Sequence, residues 1–548
     1  MLYGKFFRKS SRLKDPLLNY FLTAFVISGC GSTNPKKEST EISIGFPSTY
    51  KPPAADYFVP ASIDPNHKIY EPQYIDPYWL NALIMEKGLE ITSNLLIQNE
   101  DSFSFVFPNN EPGYLPVSVL GWAPANQNII DASRRIFDEL EQVLNIKFNE
   151  SDNVNDYNVV AISQSIQTNT AGISYFPNEY YKLGSDVFIA KGFSNPFFLT
   201  SKLTNYDYEI LIHEIGHALG LKHPFESDGS NTVVLEAKED RTTHTVMSYD
   251  DYSFSFDGTF RTLDWMALTK LYGVNASYQA GDNIYEFNDT VGLFIIDGGG
   301  VDKIDCTSST LDAFIDLRSG THCYLGDKSN FITDGNQLTI SHGSEIENVN
   351  TGSGNDMIVG NDLDNIISTA TGNDIIFAGN GIDIVSPGLG EDIIDLSEDT
   401  QAQDIITIEL YNTGENSKLF YGFKQGMNGD VIQLESLRIP ALNLLPLVDT
   451  SQVPSGYINN CLVRIFGDNL NNINTLKSNL SEGGLLQNFK LSESESAILI
   501  SSNSQNTGET QNLYTLTNRA EHIEIIKVGQ FLGNYLDIDS WALDNFIV

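Results

Sequence analysis

Residues 213 to 223 read His213-Glu214-Ile215-Gly216-His217-Ala218-Leu219-Gly220-Leu221-Lys222-His223. On a helix, His213 and His217 stand one turn apart and share a face, so two ring nitrogens reach one point. Glu214 is held beside that point. Gly220 permits the backbone reversal that ends a helix, and the returning chain brings in His223 as a third nitrogen donor. Three protein ligands leave the fourth position of a tetrahedral zinc ion open, which separates a catalytic site from a structural one. Solvated histidines on an amphipathic helix also produce H-E-x-x-H by chance, but the glycine and third histidine at fixed offsets make chance a poor explanation. Leu211, Ile212, Ile215, Ala218 and Leu219 supply an apolar side for packing, leaving the histidine side for a cleft.

Thr245-Val246-Met247-Ser248-Tyr249 follows the histidine motif, and the two together resemble the zinc motif and Met-turn of the metzincin metalloproteases. The resemblance implies that Met247 forms a hydrophobic floor under the ligands. The tyrosine two residues on is similar to that of the serralysin and astacin branches, which implies that Tyr249 is an additional zinc ligand able to swing away and hydrogen-bond an oxyanion. Glu214 is then expected to serve as general base toward water in peptide hydrolysis.

Lys and Arg number 32 against 71 Asp and Glu, a formal charge of −39. Such a surface lacks the positive patch that phosphate contacts require, so nucleic acid is an unsuitable partner and multivalent cations are natural ones. Positive charge gathers at the N-terminus, where Lys5, Arg8, Lys9, Arg12 and Lys14 precede an apolar stretch over residues 17–26 that is short for a bilayer span. It ends Ile27-Ser28-Gly29-Cys30, which resembles a bacterial lipoprotein signal and implies lipidation of Cys30. An uncleaved anchor and a mis-assigned start are the competing readings. Cys306, Cys323 and Cys461 match no zinc module, and Cys306 and Cys323 allow either a disulfide or free thiols.

Along the chain, residues 1–29 read as the signal and the proline-rich residues 30–70 as a linker or pro-segment. Residues 71–274 read as an α/β (α+β) unit, with a helix at Trp79-Leu80-Asn81-Ala82-Leu83-Ile84, a β-rich Phe103-Ser104-Phe105-Val106-Phe107, an amphipathic helix over 129–144, and strands at Ile146-Lys147-Phe148 and Val159-Val160-Ala161-Ile162. Ala171-Gly172-Ile173-Ser174-Tyr175-Phe176-Pro177 resembles the serralysin edge strand that binds substrate backbone by strand addition. A helix around 263–273 closes the unit, again similar to serralysins.

From Thr351 a nine-residue period restarts at 360, 369, 378 and 387, with Gly and Asp frequent at its fourth and sixth positions and aliphatic eighths Ile358, Ile367, Ile376, Val385 and Ile394. The pattern resembles the RTX repeat, which implies an all-β parallel β-roll over 275–400 binding calcium through turn carbonyls and aspartates. The calcium candidates are Gly352, Gly354, Asp356, Gly372, Asp374, Gly381, Asp383, Gly390 and Asp392. Asn365 interrupts the acidic column. Upstream, Asp297, Gly299, Gly300, Asp302 and Glu347 lie in segments similar to those leading into the serralysin roll. Carboxylates on adjacent turns repel one another, so the roll is expected to fold only with calcium.

Residues 401–548 read as a β-rich cap, and the ending Asp544-Asn545-Phe546-Ile547-Val548 is similar to the tails that type I secretion machinery recognises. That address conflicts with an N-terminal signal. The expectation is a monomeric, calcium-stabilised zinc endopeptidase of the serralysin type acting on protein or peptide substrates, either extracellular or anchored to the outer membrane at the cell surface through Cys30. The alternative is a calcium-binding adhesin or scaffold with an inactive protease domain, against which the intact ligands and Glu214 argue.

Overall fold

A computed structural model describes residues 78–434 apart from short segments (99–101, 156–158, 168–169, 192–204, 251–257, 289–291, 400–401, 411–417 and 426–428), the backbone of residues 28–29, and parts of 443–547. Cys30, the apolar leader and the proline-rich stretch lie outside the described residues. Among the described residues no helix is long and apolar enough to cross a membrane.

The first unit is a mixed sheet with helices against it. In chain order its strands are β1 (Ser28–Gly29), β2 (Ser102–Val106), β3 (Ala123–Pro124), β4 (Lys147–Glu150), β5 (Val159–Ile166), β6 (Gly172–Ser174) and β7 (Val187–Lys191). They run in the order β1-β6-β7-β5-β2-β4, with β3 on β5. β2, β4, β5 and β7 are mutually parallel, whereas β6 is antiparallel to β7 and to β1. β5 is buried on both faces over most of its length, as its run of Val, Ala, Ile and Ser dictates.

The helices are α1 (Tyr78–Leu83), α2 (Gly88–Gln98), α3 (Gln127–Val143), α4 (Asn205–Ala218) and α5 (Thr262–Tyr272). The Asn126 side chain accepts from Ile129 N at 3.1 Å and starts α3 by satisfying an otherwise unpaired N–H. That helix buries Ile129, Ala132, Ile136, Phe137, Leu140 and Val143, the stripe its period requires. α4 is buried on all sides because it passes between the sheet and the other helices. It ends in a Schellman turn, with Leu221 N on Gly216 O and Gly220 N on His217 O, both at 2.9 Å. Gly220 takes φ +98°, and the chain then runs antiparallel to residues 83–85 through Lys222 N on Leu83 O and Met85 N on Gly220 O.

The second unit is a parallel β-roll. Successive nine-residue repeats alternate between two sheets, so every second repeat stacks: Ile358 on Ile376 on Ile394 in one sheet, Val349 on Ile367 on Val385 in the other. The five aliphatic eighths are all fully buried between the sheets. Parallel pairing continues past residue 400 through Ile405–Ile408 and Val431–Leu434, and Phe546–Ile547 adds to the latter. At the same end, Trp541 packs against Phe423, Phe531 and Phe546. Upstream of the repeats, the strand His322–Leu325 is antiparallel to Ala313–Asp316 and to Gln337–Ile340, an excursion the repeat period does not announce. Cys306 and Cys323 are buried there as free thiols, with Cys323 Sγ on Asp316 O at 3.5 Å.

Candidate metal centre

His213, His217 and His223 come together in one buried cluster at the end of α4. His217 Nε2 lies 3.1 Å from His223 Nε2, which lies 3.3 Å from His213 Nε2. Each ring's other nitrogen faces an acceptor: His213 Nδ1 the carbonyl of Val246 at 2.7 Å, His217 Nδ1 the carbonyl of Leu221 at 2.7 Å, and His223 Nδ1 the carboxylate of Glu226 at 3.3 Å. These acceptors assign the proton to Nδ1 in all three rings. Three Nε2 lone pairs therefore converge on one point. Lone pairs facing each other at hydrogen-bond distance repel, and a cation between them resolves the repulsion; the partners behind each ring are those metal-binding imidazoles use. Burial holds His213 down to about 4 and pushes His217 and His223 well below the usual histidine range, helped by the neighbouring rings, so all three are neutral at pH 7.

The loop bearing His223 is tied by Lys222, whose ammonium donates to the carbonyls of Glu226 and Val233 at 2.9 and 3.0 Å. Tyr249 Oη stands 2.7 Å from His223 Nε2. Glu214 is fully buried beside the histidines, and Ser174 Oγ of β6 donates to its Oε2 at 2.6 Å. A Cβ on Gly172 would lie 2.5 Å from Glu214 Oε1, so only glycine lets the edge strand pass this close to the carboxylate.

Met247 is fully buried beneath the cluster, with Sδ 2.9 Å from where a Cβ on Gly216 would stand. What shapes this turn is Asp264 of α5. It accepts from Thr245 Oγ1 at 2.6 Å, Val246 N at 2.8 Å and Arg261 N at 2.8 Å. Val246 is also the residue whose carbonyl orients His213. Burial pushes the Asp264 carboxyl up to about 6 against the pull of these donors. Arg261 in turn pairs with Glu209 at 3.0 Å, both nearly buried, fastening α5 to α4. Asp264→Ala is expected to leave buried donors unsatisfied, to lower stability by about 3 kcal/mol, and to weaken zinc binding roughly 10–100-fold. Thermal unfolding and zinc titration of the variant check this, and unchanged values in both would remove Asp264 from its supporting role.

In the roll, the candidate calcium residues line two ridges of turns. Backbone N–H groups step along each ridge onto the next turn's carboxylate: Asp356 N to Asp374 Oδ1 and Asp374 N to Asp392 Oδ1 at 2.8 and 2.9 Å, and on the other ridge Asn365 N to Asp383 Oδ1 at 2.8 Å. The second oxygens of Asp302, Asp356, Asp374 and Asp383 are buried without a protein partner. Cβ atoms on Gly352, Gly372 and Gly390 would stand 1.9, 1.8 and 1.6 Å from carbonyls of the preceding turn, and those on Gly354 and Gly381 2.4 and 2.6 Å. The glycines thus leave a cradle of carbonyls between turns, and the same turns carry bare carboxylate oxygens, a donor set that fits a hard divalent cation. Burial, with repulsion from neighbouring acids, pushes Asp374 up to about 7 and Asp383 up to about 8.

Upstream, Asp297 accepts from Gly299 N and Tyr285 Oη, Glu347 accepts from Asp302 N at 2.6 Å, and a Cβ on Gly300 would meet Gly281 O at 2.5 Å. Asp392 differs from the other column members, because its second oxygen is taken by the Lys418 ammonium.

Sequence reasoning missed Ser174, Glu226 and Asp264, which act through contacts between distant segments. It also missed Asp404 and Asp430, which extend one ridge through Asp383 N to Asp404 Oδ1 at 3.0 Å and Asp404 N to Asp430 Oδ1 at 3.2 Å. Their signal was present in Asp404-Ile405-Ile406 and Asp430-Val431-Ile432, which keep the acid-then-aliphatic step of the repeats across longer turns.

Residues 139–283 match the Peptidase M43 family model, described as pregnancy-associated plasma protein-A, and residues 268–436 match the Peptidase M10 serralysin C-terminal model. Among curated proteins, serralysin of Proteus mirabilis is 31% identical over 275 residues, 43% of this chain and 54% of that protein. Serralysin of Photorhabdus luminescens is 28% identical over 294 residues, 48% of this chain and 58% of that protein. Serralysin C of Dickeya chrysanthemi is 30% identical over 216 residues, 35% of this chain and 43% of that protein. The chain thus spans about half the length of the relatives it matches. With a peptidase-model match over residues 139–283 followed by a serralysin C-terminal match over residues 268–436, the chain is similar to the serralysin-type metalloproteases.

Proposed function

We propose that this protein is a zinc-dependent endopeptidase, exported from the cell and stabilised by calcium. The observation that carries the reading is the convergence of three neutral Nε2 lone pairs beside a buried carboxylate. His213, His217 and His223 would hold the zinc, with Tyr249 as a detachable fourth contact. Zinc bound there supplies a Lewis acid that polarises a carbonyl and acidifies water.

The chain's own residues supply the rest. Glu214 takes the proton of the attacking water and passes it to the leaving amine, so no covalent link to the enzyme forms. Ser174 holds that carboxylate in line. Once Tyr249 leaves His223, its hydroxyl donates to the developing oxyanion. Extended substrate backbone aligns on β6 by strand addition, which selects peptides over other amides and brings the scissile bond to Glu214. Ser28–Gly29 pair with that same edge, so in the unprocessed chain the N-terminal segment and a substrate compete for it.

Asp297, Asp302, Glu347, Asp356, Asp374 and Asp383, with the turn carbonyls, would hold calcium. Extracellular calcium is high enough for such sites, which fits export, as a secreted protein or as a surface lipoprotein tethered through Cys30. The test is metal analysis paired with proteolysis. The purified protein is expected to contain zinc, to cleave casein, to lose cleavage with 1,10-phenanthroline and to regain it on zinc addition. Cleavage that persists after zinc has been stripped would refute the reading.

A further inference from the structure

We infer that the ammonium of Lys418 stands in for a calcium ion at the end of one ridge of the roll, so that the last turn is closed by the chain's own cation. The inference rests on the calcium reading of the preceding turns. Strands Met357–Val359, Ile375–Phe377, Ile393–Asp395 and Lys418–Tyr421 stack in register in one sheet. The residues immediately before the first three are Asp356, Asp374 and Asp392. Because Leu419 pairs with Ile393, the next position in that column is Lys418. A base therefore stands where the repeat would place another acid.

Its side chain turns back into the cradle. Lys418 Nζ donates to Gly388 O at 2.8 Å, to Gly390 O at 3.1 Å and to Asp392 Oδ2, and both side chains of the ion pair are essentially inaccessible. Two glycine-turn carbonyls and one carboxylate oxygen are the oxygens a calcium ion would draw from this turn. An ammonium has three N–H donors, and all three are used. The second oxygens of Asp356 and Asp374 in the same column have no protein partner, whereas that of Asp392 is satisfied. The other ridge shows the contrast, since beyond Asn365 its ladder runs on through the acids Asp383, Asp404 and Asp430.

The consequence is a division of labour. The turn at 387–392, which joins the repeats to the cap through Lys418–Tyr421 and its partner strand, is held without an ion, while the turns before it wait for calcium. Lys418→Ala empties the place and leaves room for calcium; Lys418→Met removes the charge but fills the room with an apolar stem.

Full-length protein, assayed by calcium content after dialysis and by thermal unfolding in chelator and in millimolar calcium, tests this. Lys418→Ala is expected to bind one more calcium per chain than the parent and to melt about 10 °C lower in chelator, with most of the loss recovered in calcium. Lys418→Met is expected to show the same loss with no extra ion and no recovery. An unchanged calcium count in Lys418→Ala, a melting loss that calcium does not repair, or failure to fold even in calcium would each overturn the assignment. A parent protein that binds no calcium at all removes the calcium reading itself, and the Lys418 assignment with it, whereas an unchanged count in a calcium-loaded variant removes only the latter.

Discussion

Glu214→Ala protein is expected to keep its zinc and to lose turnover by about 10²–10⁴-fold, the usual contribution of a positioned general base. The zinc is retained because the three imidazoles are oriented by Val246 O, Leu221 O and Glu226 rather than by Glu214. The loss falls on turnover because Glu214 is buried beside the histidines and bonded to Ser174 of β6, the edge along which substrate backbone would align under the proposed function. Its removal also strands the hydroxyl of Ser174, a modest stability cost separable from the catalytic one by melting the variant. Casein hydrolysis at the parental rate by a zinc-loaded Glu214→Ala protein would exclude the carboxylate from the chemistry.

Removing calcium is expected to destabilise the roll and to reverse its dependence on pH. Burial and mutual repulsion push Asp374 and Asp404 up to about 7 and Asp383 up to about 8 in the absence of an ion. The unfolded chain titrates near the ordinary aspartate value of about 4. Between these limits the folded roll binds more protons than the unfolded one, so its stability is greatest at low pH and falls as pH rises through 7 to 8. With calcium bound the carboxylates are ionised in the folded state and the trend disappears or inverts. Unfolding of the full-length protein, followed by circular dichroism in chelator, should therefore occur at lower temperature at pH 8 than at pH 5, with millimolar calcium restoring the pH 8 protein. A chelated protein that is equally stable at both pH values, or indifferent to calcium, would contradict the assignment of the acid columns as cation sites.

The histidine cluster moves the other way. Its buried rings have folded values below the unfolded value of about 6.5, so acid favours the unfolded chain and displaces zinc as pH falls through that range. Mild acid thus relieves the ion-free roll while weakening the zinc centre.

The repeat and the histidine motif were legible because each rests on local spacing. A helix places residues four apart on one face, and a nine-residue turn-and-strand unit places the eighth residue of each unit between two sheets, whatever else the chain does. The fully buried Ile358, Ile367, Ile376, Val385 and Ile394 follow from that period alone. Asp264 was not legible as a partner of the Met-turn, since the contact spans 19 residues and depends on how α5 packs against α4. Ser174 was read only as part of an edge strand, because its bond to Glu214 arises where a sheet edge meets a helix 40 residues away. The antiparallel excursion at 313–340 was invisible because it keeps no period.

By itself, the sequence determined the ligand types, the order of a helical zinc motif before a calcium-type repeat, and the acidic charge that makes cations the natural partners. Tertiary structure alone decided which tautomer each imidazole adopts, which carboxylate oxygens are left bare, and that a lysine rather than an ion closes one ridge. The difference is physical: residue type and short-range spacing fix what a segment can offer, while protonation, desolvation and pairing depend on which distant atoms share the same few cubic ångströms.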